Sequence, residues 1–140
     1  MTLHYVKIDA LPWDVLTPGI HQMSLSDFKT EFSYNHIRRK QFAGLILALR
    51  SLKTAGCKKI YIDGSYVTKK PVPGDYDACW CKDGVNPNLL DPVLLEFKAP
   101  RESQKLKYEG ELFVSEFLAD GKLCFLDFFQ KVRASNDAKG

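Results

Sequence analysis

The longest periodic pattern of hydrophobic residues in the chain is helical. Apolar residues recur three or four positions apart between about Asn35 and Ala55, which predicts a helix over that range. Basic residues lie on the opposite face, which we interpret as a solvated surface. Gly56 is the residue expected just past the end of such a helix. The apolar positions are Phe42, Leu45, Ile46, Leu49 and Leu52, and the basic ones are Arg38, Arg39, Lys40, Arg50 and Lys53.

The segment before this helix shows little periodicity. Residues 1–22 are punctuated by proline and glycine, and we expect an irregular N-terminal arm there. Ser24 or Ser26 is suited to cap a short helix that runs through Phe32.

Past the long helix, the pattern changes to that of β-strands. Residues 58–62 are rich in β-forming side chains and predict a strand. Residues 66–74 contain two prolines and a glycine and are expected to be mostly loop. Residues 75–81 alternate as a second strand, with Asp75 and Asp77 on one face and apolar residues on the other.

The rest of the chain predicts three further elements. Residues 88–97 read as a short helix, residues 111–117 as a third strand, and residues 122–129 as a further strand or hairpin element. Residues 101–108 are basic and polar, and residues 133–140 are expected to be a frayed tail. The order of elements predicts a single α/β (α+β) domain over residues 1–140.

Composition excludes several classes of protein. With 140 residues and 45% hydrophobic content, the chain can bury one core. A net charge of +3 suits an anionic ligand such as a nucleotide but argues against a stable DNA coat role. No apolar run approaches the roughly 18 residues of a membrane span. The four cysteines are interpreted as free thiols of a cytoplasmic protein. Disulfide frameworks are typical of small secreted chains that follow a leader sequence, and we expect neither feature here.

The strongest candidate chemistry lies around two aspartates. Asp75 and Asp77 are two apart on a strand, so their carboxylates project from one face and can share hard cations such as Mg²⁺. Gly64-Ser65 follows the preceding strand, and glycine lets the main chain approach phosphate oxygens closely. Two carboxylates in an apolar strand are costly without a cation or basic partners. The combination favours a metal and phosphate site.

This segment resembles the signature of the polymerase-β-like nucleotidyltransferase superfamily, in which a hydrophobic-Gly-Ser turn, a spacer and Asp-hydrophobic-Asp follow in order. From about Thr17 to Gly140, the chain is similar to an uncharacterised bacterial family of small nucleotidyltransferase-like proteins. The shared phrases include Leu-Thr-Pro-Gly-Ile-His, Lys-Ile-Tyr-Ile-Asp-Gly-Ser-Tyr-Val-Thr, Pro-Gly-Asp-Tyr-Asp-Ala-Cys-Trp, Gln-Lys-Leu-Lys-Tyr-Glu-Gly-Glu-Leu-Phe and Phe-Leu-Asp-Phe-Phe-Gln.

The resemblance implies a minimal nucleotidyltransferase fold, in which a mixed β-sheet packs against helices on one side. It also implies a nucleoside triphosphate (NTP) substrate and Mg²⁺ or Mn²⁺. Gly64 and Ser65 then belong to a phosphate-binding turn, and Asp75 and Asp77 become metal ligands.

The superfamily also carries a third carboxylate, which binds metal and can act as a base. Glu111 is our first choice for it, Glu109 the alternative and Asp127 a distant third. The family usually has aspartate at this position, and glutamate reaches one methylene farther. Lys69 and Lys105 are expected to reach the phosphates.

Three functions compete. The first is metal-dependent transfer of a nucleoside monophosphate from an NTP to a hydroxyl of a protein, an RNA or a small molecule, within a toxin–antitoxin or phage-defence system. The alternative is a catalytically weak or inactive antitoxin or binding module that acts through a protein partner, because the usual extra substrate-binding domain is missing. The third is RNA binding by the basic helix face of residues 38–53, which the mild net charge disfavours.

Overall fold

A computed structural model describes residues 2–131 and 137–140 of the chain. Within these residues, four α-helices and five strands follow one another along the chain. They are β1 (Tyr5–Val6), β2 (Val15–Leu16), α1 (Leu25–Phe32), α2 (His36–Thr54), β3 (Ile60–Asp63), β4 (Tyr76–Trp80), α3 (Glu102–Tyr108), β5 (Gly110–Val114) and α4 (Phe125–Phe129). None of the described helices has both the length and the apolar character of a membrane span.

The main sheet is mixed and has the strand order β3-β4-β5. β3 pairs antiparallel with β4, and β4 pairs parallel with β5. The parallel pair requires a crossover connection, and α3 lies within it. The predicted α+β class is confirmed.

The core lies between α2 and one face of the sheet. Alternate residues of β4 project from that face and are buried, as the sequence alternation predicted. The long predicted helix is confirmed, with Asn35 as its N-cap. Ser24, rather than Ser26, caps α1. The buried cluster includes Leu45, Ala48, Leu52, Tyr66, Tyr76, Ala78, Trp80, Leu112 and Val114.

Arg38 corrects the prediction of a fully solvated basic face on the long helix. Its side chain is 0% exposed. Its Nη1 donates to the carbonyl oxygens of Phe32 and Tyr66, and its Nη2 donates to those of Thr68 and Lys70, at 2.5–3.0 Å. Within the described residues, these four bonds stabilise a buried guanidinium that has no carboxylate partner, and its Nε is left without an acceptor. The helix face proposed for RNA binding therefore loses one of its cations.

Two predictions between β4 and β5 are wrong. Residues 88–97 form two short 3₁₀ turns instead of a helix, because Asn86 and Asp91 each cap a separate turn and Leu90 is extended between them. The polar stretch 101–108, for which no helix was predicted, contains α3. Its apolar Leu106 is 84% exposed while its polar Gln104 is buried, so the pattern of burial is reversed there.

Gln104 is satisfied by main-chain groups on both sides. Its Oε1 accepts from the N–H of Leu112 on the edge strand β5 at 2.8 Å, and its Nε2 donates to the carbonyl of Val93. A buried amide is stable in this position because both of its ends are hydrogen-bonded.

The chain after β5 also differs from expectation. The predicted third strand ends at Val114 rather than at residue 117. Of the strand or hairpin element predicted over residues 122–129, only an isolated antiparallel bridge between Leu118 and Cys124 is present, and α4 begins at Phe125. Two rings of α4, Phe125 and Phe129, pack against Phe113 on the face of the sheet opposite α2. Helical residues thus contact both faces of the sheet.

The chain ends are more ordered than predicted. In the N-terminal arm, β1 and β2 pair antiparallel, and Val15 is fully buried. Of the predicted frayed tail, residues 133–136 lie outside the described residues. In the remainder, the N–H of Gly140 donates to the carbonyl of Leu16 at 3.1 Å, so the segment is docked.

Candidate metal and phosphate site

Three carboxylates lie in one row across the three strands of the main sheet. Asp63 on β3 is paired in register with Asp77 on β4, and Asp77 is paired with Glu111 on β5. Residues directly opposite in register share a face of the sheet, and like charges in such positions repel. The repulsion requires cations between or around these carboxylates.

Asp75 completes a compact group of acids. Carboxylate oxygens of Asp75, Asp77 and Glu111 all lie within 4.8 Å of one another. Asp75 immediately precedes β4, so the two-residue spacing on an extended backbone brings its carboxylate to the same face as that of Asp77. The convergence expected from the sequence is present.

Burial and mutual repulsion make these acids hold protons more tightly. Burial raises the pKa of Asp77 to about 7, and the charges of Asp75, Asp63 and Glu111 act in the same direction. Burial, followed by the Glu111 charge, also raises the pKa of Asp75, while Lys105 and Lys70 oppose that increase. A cation at this position would displace a proton from Asp77 at neutral pH, so its binding would strengthen as pH rises.

The basic partners of the cluster lie at its two ends. Glu111 has Lys105 at 3.3 Å and Arg101 at 3.7 Å, and Lys139 binds Asp63 at 2.5 Å. In residues 2–131 and 137–140, no lysine, arginine or histidine nitrogen comes within 4.0 Å of the Asp75 or Asp77 carboxylate. Within the described residues, the two central aspartates are thus the members of the group without an ion pair to a basic side chain.

Gly64 lies directly beneath one of these aspartates. Its φ of 81° and ψ of −169° fall in a region that is accessible essentially to glycine alone. A Cβ at this position would lie 2.7 Å from Oδ2 of Asp77. Ser65 follows as the first residue of a 3₁₀ turn, Ser65–Val67. The close approach of carboxylate and turn depends on the absence of a side chain at position 64.

The acids and the turn line one cavity of about 920 Å³. Its size suits a small-molecule ligand such as a nucleotide. Aromatic side chains form much of the remaining wall, and Phe97 and Phe117 meet edge to face at 5.4 Å. The lining includes Asp63, Gly64, Ser65, Asp75, Asp77, Arg101, Glu111, Phe97, Phe113, Phe117 and Lys139.

The candidates for the third carboxylate are separated by the fold. Glu111 points into the acidic group, as preferred from the sequence. Glu109 is in a left-handed conformation just before β5 and pairs with Lys40 on α2 at 3.7 Å. Asp127 is exposed on α4 and accepts from the thiol of Cys124. Neither Glu109 nor Asp127 lines the cavity.

The two lysines expected to contact phosphates have other partners. Lys69 does not line the cavity, and its Nζ lies 4.0 Å from the centroid of the Tyr5 ring. Lys105 is beside the site, but its Nζ is paired with Glu111. The ring of Tyr66 is not available to stack on a base, because it is fully buried and its hydroxyl is hydrogen-bonded to Ser33 and to the Arg38 carbonyl.

Two residues of the site were not identified as such from the sequence. Asp63 is not among the predicted metal ligands, yet it is the last residue of β3 and belongs to the acidic row. Lys139 lies in the segment expected to be frayed. An aspartate immediately before Gly-Ser was a usable signal for the first, whereas nothing local distinguishes Lys139 from other lysines.

The donor set fits a hard divalent cation. Mg²⁺ prefers carboxylate oxygens at about 2.1 Å, so two oxygens on one ion lie up to about 4.2 Å apart. The oxygens of Asp75, Asp77 and Glu111 are within 4.8 Å of one another, a separation that small side-chain rotations can close. Asp75, Asp77 and Glu111 are therefore the residues that would hold Mg²⁺ or Mn²⁺.

Comparison with known proteins identifies the family of the chain but not its chemistry. The chain matches the family of unknown function DUF6932 over residues 11–140, and it belongs to that family. No curated protein and no solved structure matches it significantly. Its function must therefore be inferred from the site itself.

Proposed function

We propose that the protein is a metal-dependent nucleotidyltransferase, which transfers a nucleoside monophosphate from an NTP to a hydroxyl group of an acceptor. One observation carries this proposal. Asp75 and Asp77 converge with Glu111 within 4.8 Å beside the Gly64-Ser65 turn, and the two aspartates have no basic partner in the described part of the chain. We place the reaction in the cytoplasm, where NTPs and Mg²⁺ are available.

The acids divide the chemical roles between them. Asp75 and Asp77 would hold the divalent cation, which supplies charge stabilisation for the attacking and leaving oxygens. Glu111 is paired with Lys105 and Arg101, and its carboxylate would bind the cation or accept the proton of the acceptor hydroxyl. The hydroxyl oxygen forms a bond to the α-phosphorus while the bond to pyrophosphate breaks.

The turn and the aromatic wall would hold the two ends of the nucleotide. Gly64 leaves the main chain of the turn open to phosphate oxygens, and the Ser65 hydroxyl is an additional donor. Phe97 and Phe117 offer ring faces and edges to a nucleobase. This wall is apolar, which favours stacking over base-specific hydrogen bonding.

The test is a transfer assay with α-labelled ATP, GTP, CTP and UTP, Mg²⁺ or Mn²⁺, and candidate protein, RNA and small-molecule acceptors. We expect pyrophosphate release and label transfer, and a loss of at least about 100-fold in the Asp75→Asn/Asp77→Asn variant. Asp127→Asn is the matched control, because it removes an exposed carboxylate outside the cavity. Turnover that persists at the same rate in the double variant would contradict the assignment.

A second function is favoured by the pairing of Glu111 with two cations. A carboxylate that is already paired with Lys105 and Arg101 must give up these contacts in order to bind a metal ion. The chain would then be a catalytically weak nucleotide-binding module that acts through a protein partner, as an antitoxin does. Two measurements with Mg²⁺ and ATP separate the enzyme from the binding module: calorimetry reports nucleotide binding, and the transfer assay reports pyrophosphate release. The module binds the nucleotide without releasing pyrophosphate.

A further inference from the structure

The C-terminal residues 137–140 bring one side chain, that of Lys139, to the wall of the acidic cavity. Two main-chain bonds dock this segment on the body of the protein. The N–H of Lys139 donates to the carbonyl of Gln130 at 2.9 Å, and the N–H of Gly140 donates to that of Leu16 at 3.1 Å. The docking brings the Lys139 side chain to the cavity.

The Lys139 ammonium is nearly buried and is held by two acceptors. Its Nζ donates to Oδ1 of Asp63 at 2.5 Å and to the carbonyl of Phe129 at 2.8 Å. The side chains of Lys139 and Asp63 are only 11% and 12% exposed. An ammonium has three N–H donors, so within the described residues one donor of Lys139 has no protein acceptor. That donor belongs to a group that lines the cavity.

Lys139 lies at the opposite end of the acidic row from the other cations. Arg101 and Lys105 are bound to Glu111 on β5, whereas Lys139 is bound to Asp63 on β3. The turn that begins with Gly64 directly follows Asp63. A phosphate chain that starts at this turn therefore lies on the Lys139 side of the site.

We propose that Lys139 is a phosphate-binding residue of the site and that Asp63 is the positioning residue that orients it. The inference rests on the proposed nucleotidyltransferase function. Asp63 and the Phe129 carbonyl fix the ammonium by two of its donors, and the third donor binds an oxygen of the triphosphate. Such a charge-assisted bond is among the stronger hydrogen bonds in proteins.

The first experiment measures binding of ATP, GTP, CTP, UTP and inorganic tripolyphosphate, each with Mg²⁺, to the full chain by calorimetry. We expect Lys139→Met to weaken binding at least about 10-fold, the effect of losing one charged hydrogen bond, and Lys139→Arg to lose less. The control is Lys122→Met, at an exposed lysine outside the cavity, with a change below about twofold. Equal binding by Lys139→Met and the unaltered chain would overturn this inference alone.

A second variant separates phosphate contact from a structural role. Lys139→Met leaves Asp63 buried without its partner, so the fold itself is at risk. Asp63→Asn/Lys139→Met removes both charges and relieves that stress, and Mn²⁺ binding without nucleotide reports on the remaining acids. We expect Mn²⁺ affinity to hold within about threefold of the unaltered chain while tripolyphosphate binding stays weak. Recovery of phosphate binding in the double variant would overturn the proposed contact between Lys139 and phosphate. If the unaltered chain bound no NTP, the proposed function would be overturned as well.

Discussion

At the scale of single residues, the charge of Asp77 is costly to the folded protein. Asp77 is the middle member of the acidic row, and burial together with three neighbouring carboxylates raises its pKa to about 7. The folded protein therefore binds a proton at Asp77 that the unfolded chain has already released between about pH 4 and 7. By linkage, the free energy of unfolding falls as pH rises through this window.

We expect Asp77→Asn to stabilise the metal-free protein at high pH. Measured in EDTA at pH 8, its Tm should exceed that of the unaltered chain by about 3 °C or more, because the buried charge is gone. The difference should shrink as pH falls towards 4, because Asp77 is then protonated in the folded protein. Asp127→Asn serves as the exposed control. A lower Tm for Asp77→Asn at pH 8 would mean that the ionised carboxylate has a favourable partner after all.

Gly64 shows how a single missing side chain shapes the site. Its positive φ and the carboxylate of Asp77 above it both require glycine. We predict that Gly64→Ala weakens Mn²⁺ binding at least about 10-fold, because the new Cβ would displace Asp77 and misplace a metal ligand. Titration calorimetry is the measurement.

Gly121→Ala is the matched control for this change. Gly121 has nearly the same φ, 82° against 81°, but no atom lies within 4 Å of the position of its Cβ. Both changes add a side chain at a positive φ, but only the one at Gly64 brings a Cβ against the Asp77 carboxylate. Equal Mn²⁺ affinity in Gly64→Ala and Gly121→Ala would show that the contact with Asp77 is unimportant.

At the scale of elements, the loop between the two motifs is held by the helix behind it. Arg38 on α2 donates to the carbonyl oxygens of Thr68 and Lys70, just beyond the Ser65 turn, and to that of Tyr66 within it. One side chain thereby orders the connection between β3 and β4. The loop has two prolines and little periodic structure, so these bonds replace the ladder that a longer hairpin would provide.

We predict that Arg38→Met lowers the free energy of unfolding by about 3 kcal/mol or more, because four buried carbonyls lose their donors. Arg39→Met removes an exposed cation from the next position of the same helix and should change stability by less than about 0.5 kcal/mol. Urea denaturation followed by circular dichroism measures both. Equal stabilities would contradict the role assigned to Arg38.

The elements that were predicted correctly are those whose own pattern determines them. The apolar stripe and cap of α2 and the alternation of β4 are local signals, and both elements are present. α3 was missed because its buried positions are polar, Gln104 and Tyr108, and are satisfied by groups distant in sequence. α4 replaces most of the predicted strand or hairpin element, because its aromatic residues suit a helix or a strand until Phe113 is available as a packing partner.

At the scale of the whole molecule, the site is assembled from segments that are far apart in the chain. Asp63, Asp77 and Glu111 become neighbours only because β4 lies between β3 and β5 in the sheet. The C-terminal segment adds Lys139, which is 76 residues from its partner Asp63. The charge balance of the cavity is therefore a property of the complete fold, and no single element contains it.

The sequence by itself determined the core helix, the common face of Asp75 and Asp77, and the Gly64-Ser65 turn after a strand, because each depends on spacing within a few residues. Only the tertiary structure places Glu111, and not Glu109 or Asp127, beside Asp75 and Asp77. It also buries the Arg38 side chain and brings Asp63 and Lys139 to the same cavity. These outcomes depend on strand register and on the docking of distant segments. Such contacts are set by packing across the sheet, which the local pattern of hydrophobic and polar residues does not encode.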